Sequence, residues 1–197
     1  GSWKKWRRTS PARTAISPSL LDSDFNRAEG ISAMISVDPL PQDTRALRDA
    51  FSCFPSGVVA VCALSGPTPV GMVASSFTSV SLEPPFVSLC VQKSSNTWPQ
   101  LRGAGRLGIS ILAKSQDAAC KQLASRNGER FVDIDWEVSD EGAVFLNDAA
   151  AWLDCALSRE IEAGDHWIVL LELRGVVSRP EINPLVFHAS RFRQLVA

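Results

Sequence analysis

The chain has 197 residues, 45% of them hydrophobic and 21% charged, with a formal net charge of −1. That length and composition suit one globular domain with a buried core and exclude a disordered or fibrous chain. No apolar run reaches the roughly 18–20 residues of a membrane-spanning helix.

The first 14 residues hold Lys4, Lys5, Arg7, Arg8 and Arg13 with no acid. Removing those five from the 20 basic residues leaves 15 against 21 acidic ones in the remainder. A basic cluster beside Trp3 and Trp6 is a feature of nucleic-acid or anionic-membrane contact. The blander reading is preferred: residues 1–41 are a leader, disordered or partly vector-derived, with Gly1-Ser2 as a cloning remnant and Met34 as the natural start. Neither nucleic acid nor a membrane is therefore expected as a partner, and residues 42–197 are expected to form the domain.

Gln42 to Phe54 reads as a helix capped by Asp43, with Leu47, Ala50, Phe51 and Phe54 in an apolar stripe. The pattern then changes to strands. Gly57–Leu64 and Val70–Ser76 flank a Gly/Pro turn as a hairpin, Phe86–Gln92 follows Pro84-Pro85, and Ser95 or Asn96 can cap a short helix through Leu101. Arg106–Leu112 reads as a strand, Ser115–Ser125 as a helix, and residues 126–150 as less regular. Ala151–Ala163 and His166–Ser178 alternate apolar with polar around Gly164-Asp165, a strong hairpin signal. Pro184–His188 and Arg191–Val196 supply closing strands. Many strands with few helices, irregularly interspersed, predict a mainly β antiparallel barrel of the Greek-key type and not a doubly wound sheet.

Two segments are suited to holding a ligand. Val70 to Pro85 (VGMVASSFTSVSLEPP) interleaves Ser75, Ser76, Thr78, Ser79 and Ser81 with apolar residues directly after a strand. Hydroxyls and freed backbone N–H groups there can hold the polar edge of a planar ligand or a phosphate; the plain alternative is a Ser/Thr-rich turn. Lys93-Ser94-Ser95-Asn96-Thr97-Trp98 brings one cation and four neutral donors to a helix start, which suits an anionic group, or else is a simple cap. Neither a P-loop nor a GxGxxG fingerprint is present, so any nucleotide is bound outside the Rossmann manner. His166, beside Asp165 at the hairpin turn, is either a functional imidazole or a solvated turn residue. No metal site is expected. The five cysteines form neither a CxxC nor a zinc spacing and read as free thiols in a reducing, cytoplasmic compartment.

These pieces, in order, resemble the flavin reductase-like family, the FMN-binding split-barrel reductases of two-component flavin monooxygenases. The resemblance is carried by FPSGVVAV, VGMVASSFTSVSLEPPFVSLCV, KSSNTW, RLGISILAKSQ, ERFVDIDW, the long hairpin with GDHWIV, and PLVFHASRFRQL, over roughly residues 43–197. It implies an enzyme that passes a hydride from NADH or NADPH to FMN or FAD, as a homodimer, supplying reduced flavin to a partner monooxygenase. By the same resemblance Gly71, Met72, Val73, Ser75 and Ser76 line the isoalloxazine and ribityl chain. Lys93, Ser94, Ser95, Asn96 and Thr97 hold the phosphate end, and His166 orients the nicotinamide. Val73 stands where Thr is frequent, Asn96 where Ser is frequent and Phe187 where Tyr is frequent. Two alternatives within the fold are an enzyme that retains its flavin as a prosthetic group and a non-catalytic flavin-binding protein.

Overall fold

The computed structural model describes residues 36–125 and 129–195. In chain order it has helix α1 (Thr44–Phe51), strands β1 (Ser56–Gly57), β2 (Val59–Ser65), β3 (Thr68–Ala74), β4 (Thr78–Leu82) and β5 (Pro85–Gln92), then helix α2 (Trp98–Leu101) and β6 (Leu107–Ile111). A 3-10 turn at Lys114–Gln116 runs into α3 (Asp117–Leu123), followed by β7 (Trp136–Val138), β8 (Val144–Leu146), β9 (Ala151–Ala163), β10 (His166–Ser178), β11 (Val186–His188) and β12 (Arg191–Arg193). Seven strands make one antiparallel sheet in the order β3-β2-β6-β9-β10-β5-β4. Strands β1, β11 and β12 make a second sheet, and β7 and β8 a third.

The connection between β3 and β4 dictates the shape of the large sheet. These strands are its two opposite edges, yet only Ser75, Ser76 and Phe77 separate them in the chain. A link of that length spans about 15 Å at most, whereas a flat seven-stranded sheet is about 29 Å wide at ~4.8 Å per strand. The sheet therefore rolls until its edges nearly meet, which is a split barrel. The Ser76 hydroxyl fixes the junction by accepting from the Cys90 N–H of β5 at 2.8 Å and donating to the Cys90 carbonyl at 3.2 Å.

Strand β2 is apolar from Val59 to Leu64 because both faces of its buried part are covered. Val59, Val61 and Ala63 enter one buried cluster with Leu89, Leu107, Ile109, Leu153 and Val169. Ala60 and Cys62 enter the other, with Leu112, Leu123, Val144, Leu146 and Leu185. At Gly108 in β6 a β-carbon would lie 2.1 Å from the Val144 carbonyl oxygen, so glycine lets the small β7–β8 sheet cross the barrel wall. The β9–β10 hairpin turns at Gly164 (φ +61°), the first central position, where the two-residue hairpin turns require positive φ.

The long hairpin has the bounds expected from its alternation, and the remaining predicted strands lie within one to three residues of theirs. Of the expected leader, residues 1–35 fall outside the described residues, and 36–41 contain no helix or strand. Asp43 caps α1 by accepting from the Arg45 N–H at 2.8 Å, but the helix ends at Phe51 and buries none of its residues. Its apolar stripe faces outward, with Phe51 72% and Phe54 79% exposed. Residues read as irregular contain the β7–β8 pair, and the second half of the serine-rich stretch is the edge strand β4.

Candidate functional site

A cleft of about 680 Å³ opens at the split, where β3, the β3–β4 crossover, the segment after β5 and the hairpin tip converge. Met72, Val73, Ser75, Ser76, Ser94, Ser95, Asn96, Thr97 and His166 all line it, so nine of the eleven residues named from sequence share one wall system. Of the five hydroxyls in the serine-rich stretch, only Ser75 and Ser76 reach the cleft; Thr78, Ser79 and Ser81 belong to β4.

Strand β3 offers its backbone. As an edge strand it pairs only with β2, and half of its N–H and C=O groups point away from the ladder. The Gly71 carbonyl is one of these, because it accepts from Arg130 Nη1 at 3.0 Å. The unbroken β2–β3 register makes Val73, two residues on, point its N–H the same way, toward the cleft. The Val73 side chain, partly buried, packs against the second core cluster.

In the segment after β5, Ser95 Oγ accepts from the Trp98 N–H at 3.1 Å and ties down the start of α2. Asn96 presents its carbonyl to Gln100 Nε2 at 3.3 Å. Buried Thr97 accepts from Arg130 Nη1 through Oγ1 at 2.6 Å. Arg130 was not singled out by sequence, although it lies in the ERF element; its cation lines the cleft and has no carboxylate partner among the described residues.

Two residues named from sequence lie outside the lining. Gly71 borders a neighbouring cavity. Lys93 is turned to the hairpin: its ammonium pairs with Glu162, lies 5.3 Å from the Trp167 ring centroid, and its N–H donates to the Asp165 carbonyl at 3.0 Å. That ion pair holds the Glu162 carboxyl below its ordinary range. A second link joins the same parts, since Glu160 accepts from the Trp98 indole at 2.7 Å and pairs with Arg102 at 2.6 Å. The hairpin tip is thereby fastened to the 93–98 segment, which sets where His166 stands.

His166 Nδ1 lies 2.8 Å from Asp165 Oδ1. This hydrogen bond holds the Asp165 carboxyl below the usual aspartate range. An ionised carboxylate only accepts, so Nδ1 carries a proton, and the neutral tautomer that this hydrogen bond selects has Nε2 as its acceptor. Burial pushes the thiols of Cys62 and Cys155 up, the latter to about 12, which makes them packing groups and not nucleophiles. Among the described residues no three His, Cys, Asp or Glu side chains gather as a metal site.

An open cleft of this size, within the ~300–1,000 Å³ common for ligand sites, suits a flat ring system with an anionic tail. It has an edge strand on one side, neutral donors and one cation on another, and a histidine at its rim. A rolled antiparallel sheet with such a cleft at its split defines a split-barrel nucleotide- or flavin-binding class. The profile described as flavin reductase like domain matches residues 51–196, and the chain belongs to that family.

A Rhizobium meliloti (strain 1021) protein named "Probable flavin reductase" is 41% identical over 129 residues, 65% of this chain, and the chain spans 42% of that protein's length. The reductase subunit of a flavin-dependent monooxygenase from Rhodococcus jostii (strain RHA1) is 30% identical over 164 residues, with 83% of this chain and 82% of the relative covered. Among solved structures, the Streptomyces globisporus NADH:FAD oxidoreductase in complex with NAD and FAD fragments superposes with a TM-score of 0.75. It is 36% identical and covers 83% of this chain and 98% of that one.

Proposed function

We infer that this chain is an NAD(P)H:flavin oxidoreductase, taking a hydride from NADH or NADPH and delivering it to FMN or FAD. The observation that carries this reading is the convergence of edge strand β3, the 94–97 segment and the carboxylate-held His166 on one cleft. The flavin supplies the hydride-accepting chemistry when bound. The chain supplies position and polarity. The outward N–H of Val73 and the backbone through Ser76 donate to the electron-rich edge of the ring, where negative charge gathers on reduction. Ser94 to Thr97 receive the phosphate end. Nε2 of His166 accepts from the carboxamide of the nicotinamide and fixes its orientation, with no proton transfer of its own.

The likeness to a monooxygenase reductase subunit supports a partner oxygenase that consumes the reduced flavin. A homodimer is supported by large apolar side chains left bare on α1, β4 and the far part of β10: Phe51, Leu82 (92% exposed) and Val176. The five free cysteines support a reducing compartment such as the cytoplasm.

The test is consumption of NADH and of NADPH, each measured with FMN, FAD and riboflavin. Turnover that depends on added flavin is expected, and its absence together with unquenched flavin fluorescence would refute the reading. For His166→Ala, loss of one hydrogen bond predicts a KM for the nicotinamide raised roughly tenfold with flavin affinity intact. An unchanged KM and an unchanged rate of flavin reduction would remove His166 from this role.

A further inference from the structure

On the other side of Arg130 lies a second cavity of about 240 Å³. Pro69, Val70 and Gly71 of β3 form one wall, Gln100 and Phe131 line the rest, and Asn96, Thr97 and Arg130 are shared with the main cleft. His166 borders the main cleft and not this cavity. The smaller cavity is below the ~300 Å³ at which independent ligand sites begin, so its dimensions suit part of a molecule whose remainder lies in the main cleft. The residue on the shared wall is a cation whose bonds among the described residues go to neutral oxygens, Gly71 O and Thr97 Oγ1. Its remaining guanidinium donors can therefore take an anion at the wall that the two spaces share.

The glycine at position 71 has its explanation here. A β-carbon would fall 2.9 Å from Phe131 Cζ and 2.6 Å from Cys62 Sγ. Only glycine allows the Phe131 ring to lie against β3, where it also packs edge-on to Trp136 at 6.4 Å between centroids. The cavity thus has an aromatic wall at one place and side-chain and backbone amides from Gln100 and Asn96 at another. That combination suits an aromatic base with polar edges.

We propose that the smaller cavity receives the adenosine diphosphate half of FAD, with Arg130 at the pyrophosphate, and that the chain therefore prefers FAD to FMN. The proposal rests on the flavin reductase reading. Adenosine diphosphate is also part of the pyridine nucleotides; FAD is favoured because the cavity adjoins the 96–97 end of the cleft and not the histidine end.

Fluorescence quenching with riboflavin, FMN and FAD, and calorimetry with NAD⁺, test it on the full chain. Wild type is expected to bind FAD roughly tenfold more tightly than FMN. Arg130→Gln lowers the affinity for both phosphorylated flavins roughly tenfold, the scale of one charge-assisted hydrogen bond, while riboflavin, which has no phosphate, binds as before and certifies the fold. Gln100→Trp, an exposed position on α2, fills the cavity and erases the advantage of FAD over FMN, leaving riboflavin and NAD⁺, which do not use the Asn96 end through a flavin phosphate, unchanged. Equal binding of FMN and FAD by wild type, or a FAD advantage that survives Gln100→Trp, overturns the proposal. So does a loss confined to NAD⁺, which would give the cavity to the pyridine nucleotide. A chain that binds no flavin at all sinks the reductase reading itself, and this proposal with it.

Discussion

The β3–β4 crossover and the Lys93–Thr97 segment are both short polar links that leave a strand of the large sheet for the same cleft, and they use their side chains differently. In the crossover, the Ser76 hydroxyl is spent on the backbone of Cys90 and holds the split of the barrel together. What remains for a ligand there is the Ser75 hydroxyl and main chain from an edge strand with unpaired groups. In the other link the serine and lysine side chains also face the protein, Ser95 toward Trp98 and Lys93 toward Glu162. Its charge at the cleft comes instead from Arg130, a residue distant in sequence that leans on Thr97. A polar segment thus advertises a site without disclosing which of its atoms are free. The hydrogen bonds already made decide that.

The sharpest way to break this contrast is on the backbone side. Gly71→Ala places a methyl group against Phe131 and Cys62 and should cost about 1–3 kcal/mol as overpacking, measured by urea unfolding. It should also displace Phe131 and reduce FAD affinity more than riboflavin affinity. A stable variant with unaltered flavin preference would show that β3 tolerates a side chain there and that its glycine is incidental.

Ser76→Ala comes next. Removing a hydroxyl that both accepts from and donates to Cys90 leaves the N–H without its partner, and about 1 kcal/mol should be lost. If the hydroxyl serves only the junction, stability falls while riboflavin binding per folded molecule holds. A selective loss of flavin affinity at unchanged stability would instead make Ser76 a direct ligand and erase the difference between the two corners.

Much of this architecture was legible because its signals are local. The alternation of residues 151–163 and 166–178 around Gly164 fixes a hairpin by period and turn chemistry alone, and Asp43 announces a helix start. The serine-rich stretch was misleading in one respect: five hydroxyls read as one binding segment, although three of them lie on the edge strand β4, whose neighbour β5 is fixed by its long-range pairing with β10. The outward stripe of α1 was equally opaque, since periodicity shows that an apolar face exists but not whether the same chain covers it. Arg130 carried no local signal beyond its ERF context. Its place depends on β3, α2 and its own loop meeting, which only the rolled sheet brings about.

The smallest expected effect is at Lys93, and it bears most directly on the contrast. Sequence made this lysine the natural holder of a phosphate, but its ammonium is engaged by Glu162 and stacked near Trp167. Lys93→Gln should therefore leave FMN affinity and the unfolding midpoint nearly unchanged, because an exposed ion pair contributes little and is screened by salt. The pH dependence has a definite sign. The Glu162 carboxyl titrates below its ordinary range because Lys93 hydrogen-bonds its charged form. The pair's small contribution is therefore complete above the carboxylate's unfolded pKa and is lost as pH falls through the lowered folded value. At neutral pH the lysine stays with the hairpin. Should Lys93→Gln weaken FMN as much as Arg130→Gln while riboflavin binds normally, ligand arrival must pull Lys93 away from Glu162. The two corners would then differ only until the cleft fills.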